Sequence, residues 1–258
     1  MRRLTLLLYG AVAYAAFFAT FLYTIGFVGC VGVPKCVDSG AASPLARALL
    51  IDVALLLLFA VQHSIMARRW FKTWWTRIVP RPAERSTYVL LATAILALLM
   101  WQWQPITRVV WDVPGAFARD IIWVVYVVGW TVVLTGTYMI DHFDLFGLRQ
   151  VWIAFRGREY THPPFQTRGF YRYTRNPLML GFLIAFWAAP TMTIGRLVFA
   201  AASTAYVLLG IVLEERDHAF YLGDVYRRYR ARTPMLIPLP KSGGPAGERE
   251  TSGEEATS

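Results

Sequence analysis

Residues 175–181 read RNPLMLG, a charge, an Asn-Pro step and an apolar run in close succession. Pro177 has no backbone N–H and suits the first turn of a helix. Arg175 and Asn176 stand just ahead of it. Unpaired N–H groups and the positive end of the helix dipole favour an anion there, a carboxylate or a phosphate. Gly181, one turn on, lets another backbone or a ligand approach closely. The plainer alternative is an interfacial arginine beside an ordinary helix start. A second segment, LEERDHAFYLGDVYRRYRARTPMLIP, runs from Leu213 to Pro238. Glu214 and Glu215 close an apolar run, a depth at which carboxylates line a bundle interior or a polar cavity. Glu214 and His218 are four apart and share a helix face, as do Tyr226 and Tyr229 at a spacing of three. An acidic pair suits an ammonium or hydroxyl groups, and the aromatics could stack on a nucleobase. The alternative is a helix end followed by a basic surface helix near anionic head groups.

Three further residues could move a proton. His63 sits near the end of an apolar run, where an ionisable group suggests either function or a hydrogen bond across helices. Asp52 lies eleven residues earlier, about 16 Å along a helix, too far to pair with it. Asp141 and His142 end another apolar run. An Asp-His step there could orient a general base, or simply cap the helix. Arg149 and Gln150 could close a pocket from the following loop. The four histidines are scattered without a metal-ligand spacing.

The elements that position these groups must be membrane helices. The chain is 258 residues, 56% hydrophobic and only 16% charged. Its apolar residues come in blocks near the length needed to cross a bilayer. The blocks run over about 4–28, 44–66, 88–103, 120–140, 178–190 and 196–213. The first is longer than a signal-peptide core and lacks an obvious cleavage site, so it reads as a retained helix. The turn PTMTIGR makes the last two a helical hairpin. The expected fold is therefore an all-α integral membrane protein, a bundle of about six transmembrane helices. One domain spans 1–240, with the cofactor part from about 142. A Gly- and Ser-rich tail over 241–258 reads as disordered.

The net charge of +10 fits that topology better than a nucleic-acid partner, because no aromatic-and-basic repeat or zinc finger accompanies it. With the N-terminus in the cytosol, only Lys35, Arg47, Arg108, Arg119 and Arg196 fall outside, leaving 21 of the 26 basic residues inside. That bias predicts both termini in the cytosol and a plasma-membrane protein. Cys30 and Cys36 are either a disulfide in an outer loop or two free thiols.

Taken together, RNPxxxG, the Glu pair, YxxY and Pro238 resemble the isoprenylcysteine carboxyl methyltransferase family, which includes phospholipid methyltransferases. The resemblance covers about the last third of the chain. It implies that Arg175, Asn176, Pro177, Gly181, Glu214, Glu215, Tyr226 and Tyr229 surround S-adenosyl-L-methionine. The family commonly carries His at the position of Asn176 and an aromatic at that of Met179. QHSIMARRWFK and ERSTYVLLA resemble NnrU-type membrane proteins. DHFDLFGLRQVW with the C-terminal segments resembles the bacterial methanethiol S-methyltransferases. That last likeness implies methyl transfer from S-adenosylmethionine to methanethiol, giving dimethyl sulfide, in a protein surrounded by membrane lipid. On their residue chemistry His63, Asp141 and His142 are the candidate catalytic groups. Other acceptors remain as alternatives: a larger thiol, a prenylcysteine carboxylate or a phospholipid amine. So does a non-catalytic accessory or transport role.

Overall fold

The computed structural model describes residues 2–163, 165 and 167–238. The expectation of a disordered tail over 241–258 falls outside them. Among the described residues, five helices are long and apolar enough to cross a membrane. They are α1 (Arg2–Gly29), α2 (Leu45–Ala67), α4 (Arg81–Gln102), α5 (Ala116–Ile140) and α9 (Ile194–Leu222). Shorter helices join them: α3 (Arg69–Trp75), α6 (His142–Leu145), α7 (Leu148–Phe155), α8 (Pro177–Trp187) and α10 (Asp224–Arg232). The protein is an all-α integral membrane protein.

Two boundaries differ from the sequence reading. Helix α4 starts at Arg81, well before Tyr88, because Pro82 fits its first turn and the polar residues that follow are adequate helix formers. Helix α9 continues past Leu213 to Leu222, so the Glu pair and His218 sit on one unbroken helix. Gly223, at φ 53°, ends it. At about 1.5 Å per residue, the twenty residues from Gly195 to Glu215 span the thickness of a hydrocarbon core. The glutamates therefore lie at its edge.

Helix α8 has 11 residues, about 16 Å, and is too short to cross alone. Its turn into α9 is strand β2 (Thr191–Thr193), paired antiparallel with β1 (Val109–Asp112). These strands are too short to show a period in the sequence. Helix α8 gains its place through α5. A side-chain carbon on Gly181 would stand 2.8 Å from the Gly129 carbonyl oxygen, and one on Gly129 would stand 2.7 Å from the Ala185 nitrogen. Small residues let membrane helices touch backbone to backbone in this way.

The bundle has two chemically distinct ends. At one, Cys30 and Cys36 form a disulfide. Asp38 beside it pairs with Arg196 at 2.5 Å and accepts from Thr193 at 2.6 Å. Asp52 accepts from the Gln104 backbone at 2.8 Å. It belongs to this end, remote from His63 as its spacing implied. The core behind it is aromatic, with Phe27, Trp103 and Phe199 in mutual edge-on contact. The opposite end is basic and carries the candidate site. There α2 meets α9 through Arg68 and Asp217, 3.0 Å apart, and Arg85 of α4 donates to the Leu145 carbonyl at 2.8 Å.

Candidate active site

The two segments singled out from sequence fold against each other at the basic end. Arg175 precedes α8 and Glu215 lies on α9. Both nitrogens Nε and Nη2 of Arg175 reach Glu215 Oε1 at 2.7 Å. Nη1 donates to the carbonyls of Arg230 and Thr233 at 3.0 and 2.5 Å. Only 6% and 8% of the two side chains remain exposed, so this is a buried, hydrogen-bonded ion pair. The backbone follows: Arg175 N donates to the Pro234 carbonyl at 2.9 Å, and Thr174 Oγ1 and Asn176 Nδ2 both reach the Met235 carbonyl at 3.1 Å. Helix α10 closes the clamp. Its Tyr229 hydroxyl donates to the Tyr171 carbonyl at 2.6 Å. Burial first, then the Tyr226 phenol, pushes that hydroxyl up to about 12, so it stays a donor. Tyr226 is buried and faces His218.

Arg175 is thus bound to Glu215 and to carbonyls. Pro177 and Gly181 turn towards α5, where an apolar cleft of about 310 Å³ opens among Val132, Phe170, Tyr173, Leu180 and Pro238. The close approach that Gly181 was expected to allow is made by the α5 backbone.

Glu214 faces different groups. It is accessible to solvent, and its electrostatic partners are Arg68 just past the end of α2, Arg85 of α4 and Asp217. The phenols of Tyr88, Tyr206 and Tyr171 all feel its charge. Tyr206 bonds Ser64. Gly210 stands midway between Tyr206 and Glu214 at helical spacing, and a side-chain carbon there would meet nothing within 4 Å. Tyr171 links this cluster of side chains to the clamp: burial, then Tyr229 and Glu214, hold its hydroxyl well above the ordinary phenol range.

His63 belongs to the same cluster through Tyr88 and Tyr206. Its Nε2 lies 2.8 Å from the Tyr88 hydroxyl, and its ring stacks on Phe59 and meets Tyr206 edge-on. Its Nδ1 is buried with no hydrogen-bond partner among the described residues, and Oε1 of Gln62, the preceding residue in sequence, is in the same state. Buried polar atoms are seldom left so unless a ligand, ion or water completes them.

Asp141 and His142 occupy a third corner and address different partners. The Asp141 carboxylate accepts from Asp144 N at 3.1 Å and pairs with Arg149 at 2.9 Å. The His142 nitrogens lie 2.8 Å from Tyr14 and Thr137 hydroxyls, and its ring stacks on Tyr138. Thr137 gives its own proton to the Leu134 carbonyl at 2.6 Å, so it accepts from Nδ1–H, and Tyr14 donates to Nε2. Burial lowers the His142 pKa against the raising effect of Asp141, which fits this neutral tautomer. Sequence reasoning passed over Ser64, Arg68, Arg85, Tyr88, Tyr171 and Tyr206. The one available signal was a set of hydroxyl-bearing rings within otherwise apolar helices.

Comparison with known proteins adds the last observation. The family model described as NnrU protein matches residues 51–235, a span that holds every candidate named above. The chain is 51% identical to the Methanethiol S-methyltransferase of Mycobacterium tuberculosis over 93% of its own length and 98% of that protein. Identity is 52% to Methanethiol S-methyltransferase 2 of Bradyrhizobium diazoefficiens, over 92% of this chain and 91% of the relative. It is 47% to the Methanethiol S-methyltransferase of Crocosphaera subtropica, over 93% and 94%. No solved structure matches.

Proposed function

The chain belongs to the NnrU protein family, and on that premise we propose that it methylates methanethiol to dimethyl sulfide with S-adenosylmethionine as donor. The observation that carries this reading is identity near one half to three methanethiol S-methyltransferases over more than nine-tenths of the chain. The basic end is read as cytosolic, in a bacterial plasma membrane, because positive loops stay inside.

The donor set of the Glu214 cluster, which we read as the cofactor chamber, suits S-adenosylmethionine. Glu214 offers a carboxylate for its amino group, and Arg68 and Arg85 offer guanidinium groups for its carboxylate. The rings of Tyr88, Tyr206 and Tyr171 suit a sulfur cation and a nucleobase. Buried polar atoms on Gln62 and His63 await a partner. Arg175, Asn176, Glu215, Tyr226 and Tyr229 build the wall behind Glu214, with Pro177 and Gly181 seating α8 against α5. When bound, S-adenosylmethionine supplies a methyl group already activated on a positive sulfur. The protein's tasks are then alignment, exclusion of water and removal of the thiol proton. His63 takes that proton, since the thiolate is the nucleophile. With the donor bound, the acceptor thiolate would take its methyl group as the donor's bond to that methyl breaks, and His63 would pass the thiol proton on to solvent. Asp141 and His142 act at a distance, by holding α6 against α1 and α5.

Headspace analysis of the detergent-purified protein tests the reading. Dimethyl sulfide should form only when methanethiol and S-adenosylmethionine are both present. Methylation of a prenylcysteine or an amino-phospholipid with none on methanethiol would move the acceptor, and no donor binding at millimolar concentration would favour an accessory role.

A further inference from the structure

We infer that Tyr88 is a positioning residue for thiol activation: its hydroxyl fixes the His63 ring so that Nδ1 presents a free lone pair to the acceptor. The inference rests on the methyl-transfer reading above.

Tyr88 lies about two turns into α4 and keeps 6% of its surface exposed. Its hydroxyl stands 2.8 Å from His63 Nε2 and 3.4 Å from the His63 carbonyl. The Arg85 guanidinium lies 5.2 Å over its ring and is itself tied to the Leu145 carbonyl. Phe59 holds the other side of the imidazole. The ring of His63 is therefore fixed on two sides, while Nδ1 has no hydrogen-bond partner among the described residues.

Two tautomers are open to such a ring. If Tyr88 donated to Nε2, the proton would sit on Nδ1 as a buried N–H with nothing to accept it. If Nε2–H donates to the Tyr88 oxygen, the orphan is a lone pair, and the phenol proton points to the His63 carbonyl. Orphaned buried N–H groups are rarer than under-satisfied acceptors. The second arrangement follows, and it is the one that can take a proton. As the thiol S–H breaks, its proton moves to Nδ1 and the electron pair stays on sulfur. The imidazolium keeps its Nε2–H bond to Tyr88. After methyl transfer the extra proton leaves Nδ1 for solvent. Tyr88 touches no reacting atom in this scheme.

The test compares wild type, Tyr88→Phe, His63→Ala and the double variant on two acceptors. With methanethiol and saturating donor, Tyr88→Phe should lower kcat about tenfold or more while changing donor and acceptor KM by about twofold at most. The double variant should be no slower than His63→Ala, because the two residues act as one unit. The second acceptor is 2,2,2-trifluoroethanethiol at about pH 9, whose thiol is mostly ionised beforehand. On it the Tyr88→Phe penalty should shrink towards one. The ratio of the two rates within one preparation does not depend on how much variant enzyme is folded. Equal losses on both thiols, or an unchanged methanethiol rate, overturn the role of Tyr88. A wild-type protein that forms no dimethyl sulfide overturns the methyl-transfer reading itself.

Discussion

Glu214 and Glu215 are neighbours on α9, about 100° apart around its axis, and that rotation gives them different work. Glu215 completes a buried ion pair with Arg175, while Glu214 looks into the tyrosine-lined chamber. Removing one partner of a buried pair leaves an uncompensated charge, so Arg175→Ala or Glu215→Ala should each cost about 3–5 kcal/mol of stability. Thermal unfolding in detergent will show this as a lowered midpoint for either variant, whereas Glu214→Gln should melt near wild type. His142 supplies a pH dependence with a definite sign. Its folded pKa lies below the ordinary 6.5, so above that value it is neutral in both states and costs nothing. As pH falls from there the unfolded chain takes up the proton first, and stability declines until the folded pKa is reached. The wild-type midpoint should therefore fall more between about pH 7 and 5 than that of His142→Gln. Residue types told which groups were available for chemistry, and Arg175, the Glu pair and His63 all reach the basic end as their spacing implied. What spacing could not tell was partnership. Nothing in EER separates a structural glutamate from an accessible one, and nothing in DH reveals that the two side chains turn to Arg149 and to Tyr14.

At the scale of elements, apolar period located the long helices well because each must satisfy its backbone within itself in lipid. It placed α8, as the block at 178–190, without showing that the helix is too short to cross, and it gave no sign of β1 and β2. These are short and owe their places to contacts with distant elements: α8 to the glycines of α5, and β2 to β1 across 80 or so residues. Helix α9 was cut short at Leu213 because its last turns are polar, although polarity alone does not end a helix. The α5–α8 seam yields a sharp comparison. Gly181→Val must push α8 off the Gly129 carbonyl and should cost about 1–3 kcal/mol, with loss of activity as the α8 start shifts. Gly210→Ala meets open space, and helix propensity favours it, so its melting midpoint should match or exceed wild type.

For the whole molecule, one end is a clasp and the other a workshop. The Cys30–Cys36 disulfide closes a short loop whose neighbour Asp38 anchors the start of α9. Opening it in a Cys30→Ser, Cys36→Ser variant should cost about 2 kcal/mol through the unfolded chain. It should leave the donor affinity of folded protein unchanged, because the clasp and the chamber stand at opposite ends. Charge bias marked the basic end in the sequence, but the division of that end into clamp and chamber required four helices to converge.

Donor affinity tests that division most directly. Calorimetric titration of S-adenosylmethionine into the wild type, Glu214→Gln and Arg68→Gln should show binding by the wild type and an affinity at least about tenfold weaker in each variant, with their melting midpoints retained. Wild-type affinity in Glu214→Gln would contradict the account, since the cation would then be held somewhere other than the chamber that Glu214 faces.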